Sequence, residues 1–185
     1  MNILLHICCA PCLISPLEII SSKEHDVTGF FLNNNIHPFT EFTRRLDALK
    51  EYAETVGLSV IYDESYDIDD FFESIVFNEE NRCTVCYYMR LKETAKKAAE
   101  GGYDAFSTTL LYSKYQNHEK IKSICEELAH EHSVAFYYED FRVGWGRGIK
   151  KSKKIGMYRQ QYCGCIYSER DRYKKVESSE KGVQK

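Results

Sequence analysis

Seven of the eight cysteines fall in three tight groups: Cys8-Cys9-Ala10-Pro11-Cys12, Cys83-Thr84-Val85-Cys86 and Cys163-Gly164-Cys165. Thiolates bind metals and carry redox chemistry, so this grouping is the strongest signal in the chain. Cys83 and Cys86, at i and i+3 on a helix, share one face. Near a helix N-terminus, the dipole and free amides would lower their pKa. Their spacing suits zinc, an iron–sulfur cluster or a thioredoxin-like dithiol, with two packed apolar cysteines as the bland alternative. Cys8 and Cys9 are adjacent, and in a regular strand would point to opposite faces. Both reach one site only where the chain leaves extended geometry, and Pro11 marks such a turn. Adjacent ligands are awkward for a tetrahedral structural zinc. A cubane cluster accepts them, because its irons are separate attachment points. Two thiolates from here and two from Cys83 and Cys86 make four.

Cys163 and Cys165 flank a glycine. A disulfide between residues two apart closes a tight ring and departs from relaxed geometry. Strained, exposed disulfides are easily reduced and tend to be catalytic. The alternative is that this pair also ligates metal. Cys125 sits among Ile121, Ile124 and Leu128 and reads as core. Cys12 stays open between a ligand to a further iron, a proton donor and a packed thiol. A structural zinc protein has no need of seven clustered thiols. An iron–sulfur redox enzyme is therefore preferred to a zinc-stabilised binding module or a thiol–disulfide oxidoreductase.

The elements that must position these groups alternate in type. Ile3 to Ile7, Val27 to Leu32, Leu58 to Tyr62, Ala105 to Leu111 and Val134 to Tyr138 read as strands. Helices are expected over Leu13 to Ile20, with Pro16 in the first turn, and over Thr40 to Val56, stopped by Gly57. Others are expected over Ile68 to Phe77, Cys83 to Ala99, and from a Ser113/Gln116 capping box to about Glu131. A helix near Lys150 to Gln161 and another after Tyr167 complete the chain. Asn33 to Pro38 is a turn-forming loop. The alternation predicts an α/β fold with a mainly parallel sheet flanked by helices, followed by a helical basic C-terminal part. One domain is expected over 1–175, with a polar tail over 176–185. In such sheets ligands bind outside the carboxyl ends of the strands, which is where the Cys8 to Cys12 turn falls.

Charge is distributed unevenly. The 185 residues carry a net −3, yet 141–175 hold eleven Lys and Arg against Glu169 and Asp171. That segment is +9, which leaves −12 for the rest. Such asymmetry is the footprint of a polyanion-binding face, or of a solvated basic helix on an acidic protein. No apolar run is long enough to span a membrane. The N-terminus carries no basic leader, so a cytoplasmic protein is expected, in a compartment where clustered cysteines mean metal or redox chemistry.

Blocks spread through the chain resemble the QueH family of epoxyqueuosine reductases. They are Leu5 to Cys12, Asn33 to Pro38 with Glu41 and Arg44-Arg45, and Cys83 to Tyr87 with Arg90. Ser107 to Leu110, Tyr115 to Glu119, Asp140-Phe141-Arg142 and Ser152 to Cys165 follow in order. The resemblance implies a Rossmann-like fold of the HUP or PP-loop type. In PP-loop enzymes a Ser-Gly-Gly-type loop after the first strand grips pyrophosphate. Here Cys8 to Cys12 stands in that place, and ATP is not an expected partner. The implied reaction is reduction of epoxyqueuosine to queuosine at the wobble position of tRNA. The implied cofactor is a [4Fe-4S] cluster on Cys8, Cys9, Cys83 and Cys86, with Cys163 and Cys165 as a redox-active pair. Some family members carry an additional mononuclear iron, for which Cys12 and Cys165 are the candidate ligands here. An electron donor is required and is not identified by the sequence.

Removing an epoxide oxygen takes two electrons and two protons. His6, His37, His118, Tyr162 or a cysteine thiol are candidate acids. Arg142, Arg147, Lys150, Lys151, Lys153, Lys154 and Arg159 are expected on tRNA phosphates. Tyr112, Tyr115, Trp145 and Tyr158 are candidates for stacking on splayed anticodon bases.

Overall fold

The computed structural model describes residues 1–174; the expected tail over 176–185 lies outside the described residues. Five strands are β1 (Asn2–His6), β2 (Asp26–Phe31), β3 (Val60–Tyr62), β4 (Ala105–Thr108) and β5 (Ala135–Phe136). They form one all-parallel sheet in the order β3-β2-β1-β4-β5. Ile3, Leu4 and Leu5 are wholly buried, as expected of a central parallel strand covered on both faces. Seven helices are described: α1 (Ala10–Ser21), α2 (Phe39–Val56), α3 (Asp69–Ile75), α4 (Arg82–Glu100), α5 (His118–Glu131), α6 (Trp145–Lys154) and α7 (Ile166–Tyr173). One packing group joins α1 to α2 and α6, and another joins α4 to α5.

In this order the strand sequence reverses between β1 and β4. A crevice opens at the carboxyl end of such a pair, because the loops leaving the two strands diverge. β1 runs into Ile7-Cys8-Cys9, and β4 runs into a 3₁₀ turn over Thr109–Tyr112.

Several boundaries differ from the sequence reading, each for a local reason. α1 starts at Ala10, so Cys12 lies in its first turn and Pro16 lies inside the helix. Pro11 is tolerated because a first-turn amide has no intrahelical partner. β4 stops at Thr108, whose hydroxyl accepts the Leu110 amide at 3.1 Å and turns the chain. Asn117, not Ser113, caps α5 and accepts the Lys120 amide at 3.1 Å. That leaves Gln116 free for other work. α6 ends at Lys154 rather than near Gln161. Gly156, at φ +65, closes it with Gly156 N–H to Lys153 O at 3.2 Å and Met157 N–H to Ser152 O at 3.0 Å.

The basic helix α6 docks on α1 through missing side chains. A Cβ at Gly144 would overlap the Ser15 hydroxyl and lie 2.8 Å from Ser15 Cβ, and Ser15 is fully buried. At Gly146 an added Cβ meets nothing within 4 Å. Gly144→Ala is therefore expected to cost about 1–3 kcal/mol by overpacking, while Gly146→Ala is neutral or slightly stabilising. Urea unfolding of the two variants side by side checks this, and equal midpoints would contradict it.

Candidate active site

The first cysteine group sits where β1 gives way to α1. Cys9 occupies the helix N-cap in extended geometry, and Cys12 follows within the first turn. The three sulfurs of Cys8, Cys9 and Cys12 lie within 4.8 Å of one another, with Cys8 and Cys9 Sγ 3.8 Å apart. Thr109 reaches across from the 3₁₀ turn that follows β4. Its hydroxyl accepts the Cys8 amide at 3.0 Å and donates to Cys8 Sγ at 3.3 Å. Gln160 donates to Cys9 Sγ at 2.9 Å. Hydrogen bonds from Cys12 and Cys9 hold the Cys8 thiol well below its ordinary pKa. Cys12 is pushed up by the same hydrogen bonds, and Cys9 chiefly by burial. The three thiols share negative charge, and it rests most easily on Cys8.

Cys83 and Cys86 lie at the start of α4, one exposed and one buried. Burial pushes both thiols up, Cys86 to about 12. The lowering expected from the helix N-terminus is outweighed by desolvation. Arg90, one turn on, donates from Nη2 to Cys86 Sγ at 3.0 Å.

The third group is delivered by an irregular return of the chain. Arg45 on α2, only 2% exposed, donates to the carbonyls of Cys163 at 2.7 Å and Tyr162 at 3.0 Å. Its Nε binds Glu41 at 2.7 Å, and the other Glu41 oxygen accepts the Tyr158 hydroxyl. The His37 amide donates to Gly164 O at 2.9 Å. Gly164 is required by close approach, since an added Cβ would lie 2.9 Å from Asn35 Nδ2. Cys165 is buried in one apolar cluster with Cys86, Phe71 and Ile75. Cys163 is exposed and accepts from Gln116 Nε2 at 3.2 Å, while Gln116 Oε1 accepts the Tyr87 hydroxyl at 2.7 Å. All eight cysteines are free thiols here.

Between the first and third of these groups lies a cavity of about 640 Å³. Cys8, Cys12, Cys163 and Arg90 line it. Tyr112, Trp145 and Tyr115 form an aromatic wall, with ring centroids 5.0 and 5.6 Å apart. Arg159 and Arg172 line the cavity as well. The structure thus gathers Cys8, Cys9 and Cys12 into one knot, and places Cys86 with Cys165 in a second group packed under α3.

The candidate acids separate. His6 is fully buried and lowered to about 3 by desolvation, so it stays neutral between Thr108 and Leu32 O. His37 is stacked on Phe72, and His118 pairs with Tyr138. None of these histidines lines the cavity, whereas Tyr162, Cys8, Cys12 and Cys163 do. The basic residues separate too. Arg142 is paired with Asp140 at 2.7 Å, and Arg147 and Lys151 with Glu18 at 3.3 and 2.6 Å. Lys150, Lys153 and Lys154 are exposed on α6 with no ion pair among the described residues.

A family model described as epoxyqueuosine reductase QueH matches residues 3–171. The chain belongs to the QueH family. It is 38% identical to the epoxyqueuosine reductase QueH of Dehalococcoides mccartyi, over 96% of this chain and 97% of that one. It is 33% identical to the Thermotoga maritima protein of the same name, over 94% and 93%. Among solved structures, a predicted subunit of a tRNA methyltransferase from Methanocaldococcus jannaschii superposes with a TM-score of 0.55. That match has 11% identity and covers 83% of this chain and 74% of that one, which supports the fold alone. The Rossmann-like α/β class expected from the sequence is the one observed.

Five residues that touch the QueH cysteines were given no individual role from sequence: Thr109, Gln116, Gln160, Arg45 and Arg90. Each falls inside a block that carries the family resemblance, which was the available signal. Arg45 is the most consequential for structure. Arg45→Met leaves the buried Glu41 carboxylate with the Tyr158 hydroxyl but no counter-charge, and two loop carbonyls without donors. It is expected to cost about 3–5 kcal/mol and to expose Cys165 to alkylation in metal-free protein. Denaturant unfolding and mass-spectrometric alkylation rates test this, with Lys153→Ala as a control expected to change neither.

Proposed function

We propose that this chain reduces epoxyqueuosine to queuosine at the wobble position of tRNA, using a [4Fe-4S] cluster held by Cys8, Cys9, Cys83 and Cys86. The observation that carries the reading is that Cys8, Cys12 and Cys163, from two sequence-remote groups, line one cavity, while Arg90, which lines it too, is bonded to Cys86 of the remaining group. That cavity has an aromatic wall and guanidinium groups. The donor set fits the group: sulfur only, with hydrogen bonds from Thr109, Gln160 and Arg90 aimed at three of the thiols. A bound cluster would supply single electrons at this edge of the sheet. Cys12, within 4.8 Å of Cys8 and Cys9, offers a further thiolate for an additional iron, or a proton at the cavity. Cys165 is the weaker candidate for that iron, because it packs with Cys86 instead.

The reaction converts an epoxide, two electrons and two protons into an alkene and water. A Cys163/Cys165 dithiol that closes to a disulfide releases two electrons and two protons, which balances one turnover. Cys163 faces the cavity and Cys165 lies behind it, so substrate would meet Cys163 first. A reductant must then reopen the pair. The wall of Tyr112, Trp145 and Tyr115 suits a splayed purine-like base, which every aromatic face can stack. Arg159 and Arg172 would meet the flanking phosphates, and Lys150, Lys153 and Lys154 the next ones out. Arg142, Arg147 and Lys151 would contribute less, being already paired. The β1–α1 turn has no glycine, and Pro11 removes an amide, so an ATP phosphate finds a poor cradle there. A cytoplasmic setting, where thiols stay reduced, fits this chemistry.

Protein purified without oxygen should contain about four or five irons and four sulfides per chain and absorb in the visible. Cys83→Ala and Cys86→Ala should lose that absorbance, whereas Cys163→Ser should keep it and fail to convert epoxyqueuosine tRNA. Stoichiometric zinc without sulfide would favour a zinc-stabilised binding module. Turnover of small disulfides by an iron-free protein would favour a thiol–disulfide oxidoreductase. Neutralising Lys150, Lys153 and Lys154 together should flatten the log–log salt dependence of tRNA binding by about 2. An unchanged slope would remove α6 from the tRNA face.

A further inference from the structure

Arg90 is 2% exposed, and no carboxylate pairs with it among the described residues. Its Nε donates to Cys86 O at 3.0 Å, Nη1 lies 3.4 Å from Asn33 Oδ1, and Nη2 is 3.0 Å from Cys86 Sγ. The other fully buried arginine, Arg45, has Glu41 at 2.7 Å. A guanidinium cannot shed its charge in a protein, and a buried charge without a counter-charge is strongly disfavoured. Arg90 must therefore be matched by negative charge that the apoprotein's carboxylates do not supply. It lines the same cavity as Cys8 and Cys163 and touches Cys86, so each cysteine group has a member beside it or across that cavity.

We infer that Arg90 is the resident counter-ion of the thiolate-bound metal centre, and that it sets both the retention and the reduction potential of that centre. This rests on the cofactor reading above and deepens it. The physical consequence is direct. Four thiolates around a cluster leave a net negative site, and reduction adds one more negative charge. A fixed positive charge in a low-dielectric pocket favours the reduced form over the oxidised one. It also offsets the net negative charge of the bound centre, and so favours bound over released metal. In metal-free protein the same charge is a liability, because it is buried and no carboxylate pairs with it among the described residues.

The role predicts opposite effects in the two states, which a merely structural arginine would not give. Holoprotein carrying Arg90→Met should lose iron to a chelator at least about tenfold faster than wild type, as outer-sphere losses at metal sites do. Its midpoint in an anaerobic potentiometric titration should shift to lower potential. Metal-free Arg90→Met should melt at the same temperature as metal-free wild type or above it, since a lone buried charge has been replaced by an apolar chain. Arg90→Lys, which keeps the charge, should hold the midpoint near wild type. An unmoved midpoint and unchanged iron loss in Arg90→Met would overturn the assignment, as would equal destabilisation of the holo and metal-free forms. So would an Arg90→Lys midpoint as low as that of Arg90→Met. Wild-type protein without iron or sulfide would instead remove the cofactor reading, and the role of Arg90 with it.

Discussion

The geometry of the site hangs on Arg45. Between the end of α6 and the start of α7 the chain runs irregularly from Ile155 to Cys165. A strand or helix would satisfy its own peptide groups, but this segment cannot. Its carbonyls at Tyr162, Cys163 and Gly164 are taken by Arg45 and by the His37 amide. Its side chains at Tyr158 and Tyr162 reach Glu41 and His37 O. All of these partners stand on α2 or on the loop that leads into it. The return of Cys163 and Cys165 to the carboxyl edge is thus written into the β2–α2 connection, more than a hundred residues earlier in the chain. The rigid fork of an arginine suits this task, because one planar group can serve two carbonyls and a carboxylate at once.

A second constraint is electrostatic. Both arginines nearest the cysteines are buried, and buried guanidinium groups are rare without strong compensation. Arg45 has a carboxylate, and its cost is met within the protein fold. Arg90 faces sulfur, so its compensation depends on the state of the thiols. This separates a latch that works in every state from a charge that is balanced only when thiolates are present. Burial pushes Cys9 and Cys86 up in pKa and hydrogen bonds to Cys8 and Cys9 push Cys12 up, whereas hydrogen bonds from Cys12, Cys9 and Thr109 hold Cys8 down. The Cys8, Cys9 and Cys12 sulfurs lie close enough together that one metal ion could neutralise several of them.

The sequence made the frame legible and hid much of the wiring. Strand–helix alternation depends on local period and on Gly57-type stops, so the α/β class and the position of the Cys8 to Cys12 turn after β1 could be read directly. The Ser113/Gln116 pattern misled because a capping box is a local motif. Asn117 offered a competing cap, and tertiary contacts gave Gln116 partners in Tyr87 and Cys163. Strand β4 looked longer than it is because Thr109 to Leu111 are as apolar and buried as a strand, though they turn in 3₁₀ geometry. The burial of Arg45 and Arg90 has no local signal, since nothing within a window of ten residues marks the remote segments that cover them. The proximity of Cys12 to Cys8 and Cys9 followed from where α1 starts, a boundary that shifts by a few residues under small local preferences.

The uneven charge takes on a directional meaning once the fold is known. Ten carboxylates and no Lys, Arg or His occur between residues 51 and 81. The stretch covers the end of α2, β3 and α3. The inner face of α3 puts Phe71 and Ile75 against Cys86 and Cys165, while Asp69, Asp70 and Glu73 remain on its exposed side. The cysteines are therefore screened on this side by one short helix with an acidic outer surface. Arg159 and Arg172 line the cavity, and α6 carries the exposed Lys150, Lys153 and Lys154. A polyanion meets repulsion from the α3 side and attraction from the α6 side, and the difference in sign acts before any specific contact forms. The near-neutral total charge conceals this difference between an acidic α3 surface and a basic α6 surface, and the cavity that Cys163 lines carries Arg159 and Arg172 in its wall.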